Sequence, residues 1–216
     1  MTFSFSPSTL SLLKECPRCF WLHFHGIKRP ETIFPSLPSG MDKVLKEHFD
    51  TFRETKELPP ELKALEDGTK LFQDAQKLKE WRNAFKGISW KDEEGNVFHG
   101  GVDELLERKG KLIVLDFKTR GYPVKDDTAG HYRDQLDIYN LLFRKNGLPT
   151  EDFAYLLFFH PLKVLNNGDV NFHSELIKMN VSVKNAEKIF KKAVEVLKCA
   201  MPKSDPDCGF CNWAKK

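Results

Sequence analysis

No stretch of the 216-residue chain approaches the roughly 20 apolar residues that a membrane span requires. The opening residues, MTFSFSPSTL, lack the basic and apolar regions of a secretory leader, so a cytoplasmic protein is expected. Internal repeats and low-complexity tracts are also missing, which excludes solenoids and compositionally biased linkers. Charge of one sign is scarce: 34 basic against 31 acidic residues leave +3. That balance does not by itself point to nucleic acid, although acidic metal ligands can offset a basic groove. Cysteine is sparse, with five residues, and the cytoplasmic setting argues for metal or redox use over structural disulfides.

What is present reads as one soluble core, 40% hydrophobic and 30% charged. Ser6-Pro7 is a cap followed by proline at a first helical position, and Pro17 breaks that helix and starts another ending near Gly26. Residues 28–39 hold three prolines and read as a loop. Helices are expected over Met41–Arg53 and 71–85, with a charged, exposed stretch between them. The hydrophobic period then changes. Residues 97–107 and 111–118 read as a hairpin turning at Lys109-Gly110, and the apolar run Leu112–Leu115 suits a strand covered on both faces. A polar loop at 121–130, a helix over 131–145, strands at 153–160 and 170–180 and a helix over 183–200 complete the order. The fold class is α/β, a mixed central sheet flanked by helices.

Strand side chains alternate, so Asp116 and Lys118 face one side and Phe117 the other. An Asp-x-Lys placed straight after four apolar residues sits at a strand end and not on a solvated face. Asp103 lies on the partner strand, and its thirteen-residue separation from Asp116 demands uneven pairing or a bend. Two converging carboxylates are a natural Mg²⁺ or Mn²⁺ site, able to activate a bound water and to neutralise charge at a phosphoryl centre. Lys118 is placed to orient or help deprotonate that water and to stabilise the developing charge.

The segments GVDELL, LIVLDFKTR and QLDIY resemble the PD-(D/E)XK superfamily, and within it the RecB-family exonucleases. These include the iron–sulfur nucleases of CRISPR adaptation and AddB-type nuclease domains. The match rests on Gly101-Val102-Asp103, on Asp116-Phe117-Lys118-Thr119, and on Gln135 with Tyr139 one helical turn later. The resemblance implies a restriction-endonuclease-like core and a Mg²⁺- or Mn²⁺-dependent deoxyribonuclease, an exonuclease acting on single-stranded DNA or DNA ends. It implies catalytic roles for Asp103, Asp116, Lys118, Gln135 and Tyr139, and a metal contact from the Phe117 backbone carbonyl. It also implies a helicase or other DNA-processing partner and a role such as DNA repair. Many members carry a metal-binding histidine shortly after a glycine on an early helix. Here Gly40 is followed by Met41-Asp42-Lys43-Val44, which leaves His48 or Asp42 for that place. A catalytically impaired nuclease-fold DNA-binding module is the alternative.

Cys16-Pro17-Arg18-Cys19 and Cys208-Gly209-Phe210-Cys211 form a Cys-x-x-Cys pair at each end, enough to grip one metal if the termini meet. Spacing alone favours Zn²⁺. The resemblance implies a [4Fe–4S] cluster, although two plus two cysteines depart from the family's usual one plus three. Either centre is expected to staple the N- and C-terminal regions together, with Cys199 in the core. Arg120, Lys125, His131 and Arg133 are candidate phosphate contacts. The chain is thus read as one nuclease domain: a mainly helical part at 1–95, a catalytic core at 96–182, and a helix with a cysteine-bearing tail at 183–216.

Overall fold

Local signals fix the first turns. Ser6 Oγ accepts from Thr9 N, and the Thr9 hydroxyl accepts from Ser6 N, a reciprocal cap that starts a helix at Pro7. The structure, a computed structural model, describes residues 2–30, 36–65 and 67–213. In chain order the elements are β1 (Ser4–Phe5), α1 (Pro7–Glu15), α2 (Pro17–Phe24), α3 (Ser36–Thr55), a 3-10 turn (Pro60–Leu62), β2 (Lys70–Leu71), α4 (Ala75–Trp81), β3 (Ile88–Lys91) and β4 (Val97–Gly100). There follow β5 (Glu104–Arg108), β6 (Lys111–Thr119), a 3-10 turn (Thr128–Tyr132), α5 (Arg133–Lys145), β7 (Phe153–Val164), β8 (Val170–Asn180), α6 (Val183–Lys198) and α7 (Gly209–Trp213).

The main sheet has the order β2-β5-β6-β7-β8, antiparallel except for the parallel pair β6–β7. A second, three-stranded sheet has the order β1-β4-β3. Alternation along β6 divides the core. Leu112 and Val114 pack on one face with residues of α1, α5 and α6, whereas Ile113, Leu115 and Phe117 pack on the other with Leu45 and Phe49 of α3. Asp116 and Lys118 therefore face α5, and β6 is sealed on both sides as its apolar run predicts.

Several expectations need correction. The reading of 97–107 as one strand fails, because β4 and β5 belong to different sheets and the chain breaks at 101–103. Close packing forces the break: a Cβ on Gly100 would lie 2.7 Å from the Tyr139 ring, and one on Gly101 would lie 3.0 Å from the Asn83 carbonyl. That break is the bend that Asp103 needed. Beside its helices the stretch 1–95 also holds three short strands, β1, β2 and β3. Of the expected loop at 28–39, residues 31–35 lie outside the described residues, and Ser36 already opens α3. Pro38 is tolerated there because a first turn has no N–H partner to lose. The expected helix over 71–85 is cut to α4, capped by Asp74. Cys199 is exposed at the C-cap of α6 and not in the core.

Candidate active site and cysteine cluster

β6 runs four residues past the last residue that β5 pairs, Leu115. Along that open edge the Phe117 N–H has no strand partner, and it donates instead to Asp103 Oδ2 at 2.9 Å. A residue's N–H and C=O leave an antiparallel edge on the same side, so the Phe117 carbonyl also faces this edge. Asp103 is itself held from behind. Arg82 Nε donates to its carbonyl at 2.9 Å, and Val102 N donates to the Trp81 carbonyl at 3.0 Å, which ties the loop to the end of α4.

Gln135 joins the components on the other side. Its Nε2 donates to Asp116 Oδ1 at 3.1 Å and to the Tyr139 hydroxyl at 2.9 Å, while its Oε1 accepts from Lys118 Nζ at 3.2 Å. Lys118 Nζ also lies against Asp116 Oδ2 and 4.6 Å from the centre of the Tyr132 ring. The structure thus brings together Asp103, Asp116, Lys118, Gln135 and Tyr139.

Their electrostatics are unbalanced in one direction. Burial, reinforced by the Asp103 charge, pushes the Asp116 carboxyl up to about 7 despite Lys118 beside it. Although Asp116 Oδ2 touches the ammonium, no donor reaches it in hydrogen-bonding geometry. Burial lowers the Lys118 ammonium, but Asp116 outweighs it and holds the group above its ordinary value, so Lys118 is a cation at rest. Burial and the Asp116 charge raise the Tyr139 phenol, which stays protonated. A buried carboxylate whose Oδ2 meets only one ammonium, beside a second carboxylate, fits a divalent ion with hard oxygen ligands. Asp103, Asp116 and the Phe117 carbonyl are the groups that would hold it.

His48 is not brought to this site. Its Nε2 lies 3.2 Å from Glu61 Oε2 and its ring packs on Phe49 and Phe52. Counting by helical turns from Val44 misplaced it, because α3 turns Lys46 toward Asp103 and His48 away. Lys46, which the sequence reading missed, puts Nζ 3.2 Å from Asp103 Oδ1 and 2.7 Å from Asp42. Burial lowers Lys46, but Asp103 and Asp42 hold it above its ordinary value. Its only sequence signal is the i,i+4 spacing from Asp42. Also missed was Glu104, fully buried next to Asp103 and bound by Arg53 at 2.5 Å and Arg82 at 3.0 Å. Of the candidate phosphate contacts, Lys125, His131 and Arg133 are exposed around the start of α5, and Arg120 Nη1 is buried without a partner. A groove lined by Pro7, Ser11, Lys14, Tyr132, Gln135 and Lys192 opens beside Gln135.

At the opposite extreme of the chain, Cys16 and Cys19 meet Cys208 and Cys211, all four buried and all four sulfurs within 4.8 Å of one another. Cys16 Sγ is 3.7 Å from Cys211 Sγ, and Cys19 Sγ is 3.6 Å from Cys208 Sγ. Burial pushes the Cys19 thiol up to about 12. Burial also raises Cys208, but the Cys211 N–H and the neighbouring sulfurs outweigh it and hold that thiol at about 7. Arg29 stacks 4.3 Å from the Phe210 ring and puts Nη2 3.7 Å from Cys208 Sγ, covering the cluster. This set of ligands can bind a metal ion.

The model of a family described as the PD-(D/E)XK nuclease superfamily matches residues 4–215. The chain belongs to that superfamily. No curated protein matches it. A match of this length takes in the cysteines at both ends as well as the carboxylates at the end of β6. Among the described residues no helix is long and apolar enough to cross a membrane.

Proposed function

We propose that this PD-(D/E)XK protein is a metal-dependent deoxyribonuclease that hydrolyses phosphodiester bonds, working as an exonuclease on single-stranded DNA or DNA ends. The observation that carries the reading is the placement of Asp116 and Lys118 on one buried strand face, with Asp103 across the open edge and Gln135 bridging them. A divalent ion bound there would supply Lewis acidity at the phosphoryl oxygen and an acidified water. Asp103 and Asp116 would hold that ion. Lys118, charged at rest, donates to the phosphate oxygen on which negative charge grows; it is not a resting base. Gln135 fixes the Lys118 ammonium and the Asp116 carboxylate relative to each other. Tyr139 holds its proton and presents a hydroxyl to the same volume. The groove beside Gln135, with Lys192 and the Lys14–Asp134 pair on its walls, offers a strand a path to the site. Arg120, Lys125 and Arg133 would add backbone contacts around the start of α5.

The test is degradation of end-labelled single-stranded, duplex and flapped DNA with Mg²⁺ or Mn²⁺. The reading expects cleavage by the wild type and none by Asp116→Asn or Lys118→Ala. A wild type that binds all three substrates and cuts none would overturn it, leaving the impaired DNA-binding module. That second reading is favoured by one observation: Lys46, not a metal ligand, faces Asp103.

For the cysteines, a single tetrahedral ion, Zn²⁺ first, is the better reading over [4Fe–4S]. Four sulfurs about 2.3 Å from one ion lie about 3.8 Å apart; three of the six separations here are 3.6 to 3.8 Å, and all six are within 4.8 Å. A cubane puts each thiolate on a different iron and spreads the sulfurs. A colourless protein with one zinc per chain is expected. A brown, anaerobically purified protein with about four irons per chain would reverse the assignment.

A further inference from the structure

Both oxygens of Asp103 are already engaged. Oδ2 accepts the Phe117 N–H at 2.9 Å, and Oδ1 faces Lys46 Nζ at 3.2 Å. The same ammonium is bound 2.7 Å from Asp42, one turn earlier on α3, and the Lys46 side chain is only 21% exposed. We propose that Lys46 is an internal cation that occupies the Asp42–Asp103 edge, limits the carboxylate pair to one divalent ion, and orients Asp103 toward that ion. The inference rests on the metal-dependent reading above and specifies how many ions the site takes.

The argument is one of charge and space. Asp42, Asp103 and Asp116 face Lys46 and Lys118, which leaves one formal negative charge for a divalent ion to neutralise. Two-ion phosphoryl-transfer sites place their metals about 3.5–4 Å apart and need carboxylates on both sides. The second position here would have to draw on Asp42 and the outer oxygen of Asp103, and the ammonium lies between them. Among the described residues no third carboxylate or histidine lies close enough to Asp103 and Asp116 to share an ion with them. An ammonium is a compact, three-donor point charge. It can neutralise and orient carboxylates, but it brings no water as a metal does. Lys46 acts through Asp103 and is therefore a positioning residue.

The test is Mn²⁺ titration of the metal-free full chain by calorimetry and electron paramagnetic resonance, with Asp116→Asn as the control for binding elsewhere. Wild type is expected to bind one Mn²⁺ at this site. Lys46→Gln removes a nearby positive charge and is expected to bind Mn²⁺ at least about fivefold more tightly while cutting more slowly. Lys46→Glu is expected to bind two ions, and Lys46→Arg one. A purely structural lysine would give the opposite sign, with looser Mn²⁺ binding and a lower melting temperature in every variant. Two ions in wild type, no site-specific Mn²⁺ in any variant, or Lys46→Gln binding no tighter than wild type would each overturn the inference. One ion with the Lys46 signature in a protein inert on every DNA would overturn the nuclease reading alone.

Discussion

At the cysteine cluster four buried sulfurs close around a single point, with Arg29 stacked over it. At the end of β6 only two carboxylates converge, and a groove opens beside Gln135, which bonds one of them. The first arrangement fills every position of a tetrahedral ion, as structural metal sites do. The second leaves positions free, as a reacting site must. The ligands also differ in how they are held. The cysteine sulfurs meet chiefly one another and Arg29, whereas Asp103 and Asp116 are fixed by Phe117, Arg82, Gln135 and Lys118. On the proposed function the two centres have opposite duties, one to hold an ion and one to use it.

Substitutions should separate these duties. The largest effect is expected for Asp116→Asn: cleavage falls by about 10³-fold or more, and the melting temperature changes little, because losing a buried carboxylate with a raised pKa offsets the loss of the Lys118 partner. A clear loss of stability would show that Asp116 serves the fold. Cys211→Ser should do the reverse. It opens a closure spanning 195 residues and is expected to cost roughly 3–5 kcal/mol by analogy with a cross-link of that size. Its rate of cleavage at low temperature should stay within about threefold of wild type, and a collapse there would break the contrast. Glu104→Gln strands Arg53 and Arg82 and is expected to cost roughly 3 kcal/mol in denaturant unfolding. It should also slow cleavage, because Arg82 holds the Asp103 carbonyl. The pH dependence of the metal-free protein follows from Asp116. Its folded value of about 7 lies above the unfolded one, so its contribution to stability is present below about pH 4 and lost as pH rises through 7. Melting temperatures should fall from pH 5 to pH 8 and should flatten in Asp116→Asn or with Mn²⁺. Tyr139→Phe removes one hydrogen bond to Gln135 and is expected to slow cleavage only about fivefold.

The parts of this molecule that could be read from sequence are those encoded by short-range periodicity. Alternation after the apolar run put Asp116 and Lys118 on one face, and a spacing of four put Gln135 and Tyr139 on one turn of α5. The termini meeting through cysteines was equally legible, because Cys-x-x-Cys spacing is local and strong. What escaped depends on packing between distant segments. Gly100-Gly101 looked like part of a strand, but the Tyr139 ring lies so close that the chain has to leave the sheet there. Lys46 was invisible because its partner Asp103 is far away in sequence, and His48 was misassigned for the same reason: which face of α3 meets β6 is decided by Leu45 and Phe49, not by the polar residues. Glu104 read as an ordinary strand residue until Arg53 and Arg82 were seen to converge on it.

The separation of the cysteine pairs has a consequence for biosynthesis. Cys16 and Cys19 leave the ribosome early, but Cys208 and Cys211 follow only after every strand of both sheets has been made. An ion that needs all four thiolates can be held only after the strands of both sheets have been made. Metal capture by all four is then a late lock on a nearly complete chain rather than an early seed. A nascent chain stopped before Cys208 would carry the complete carboxylate–lysine site without its clasp.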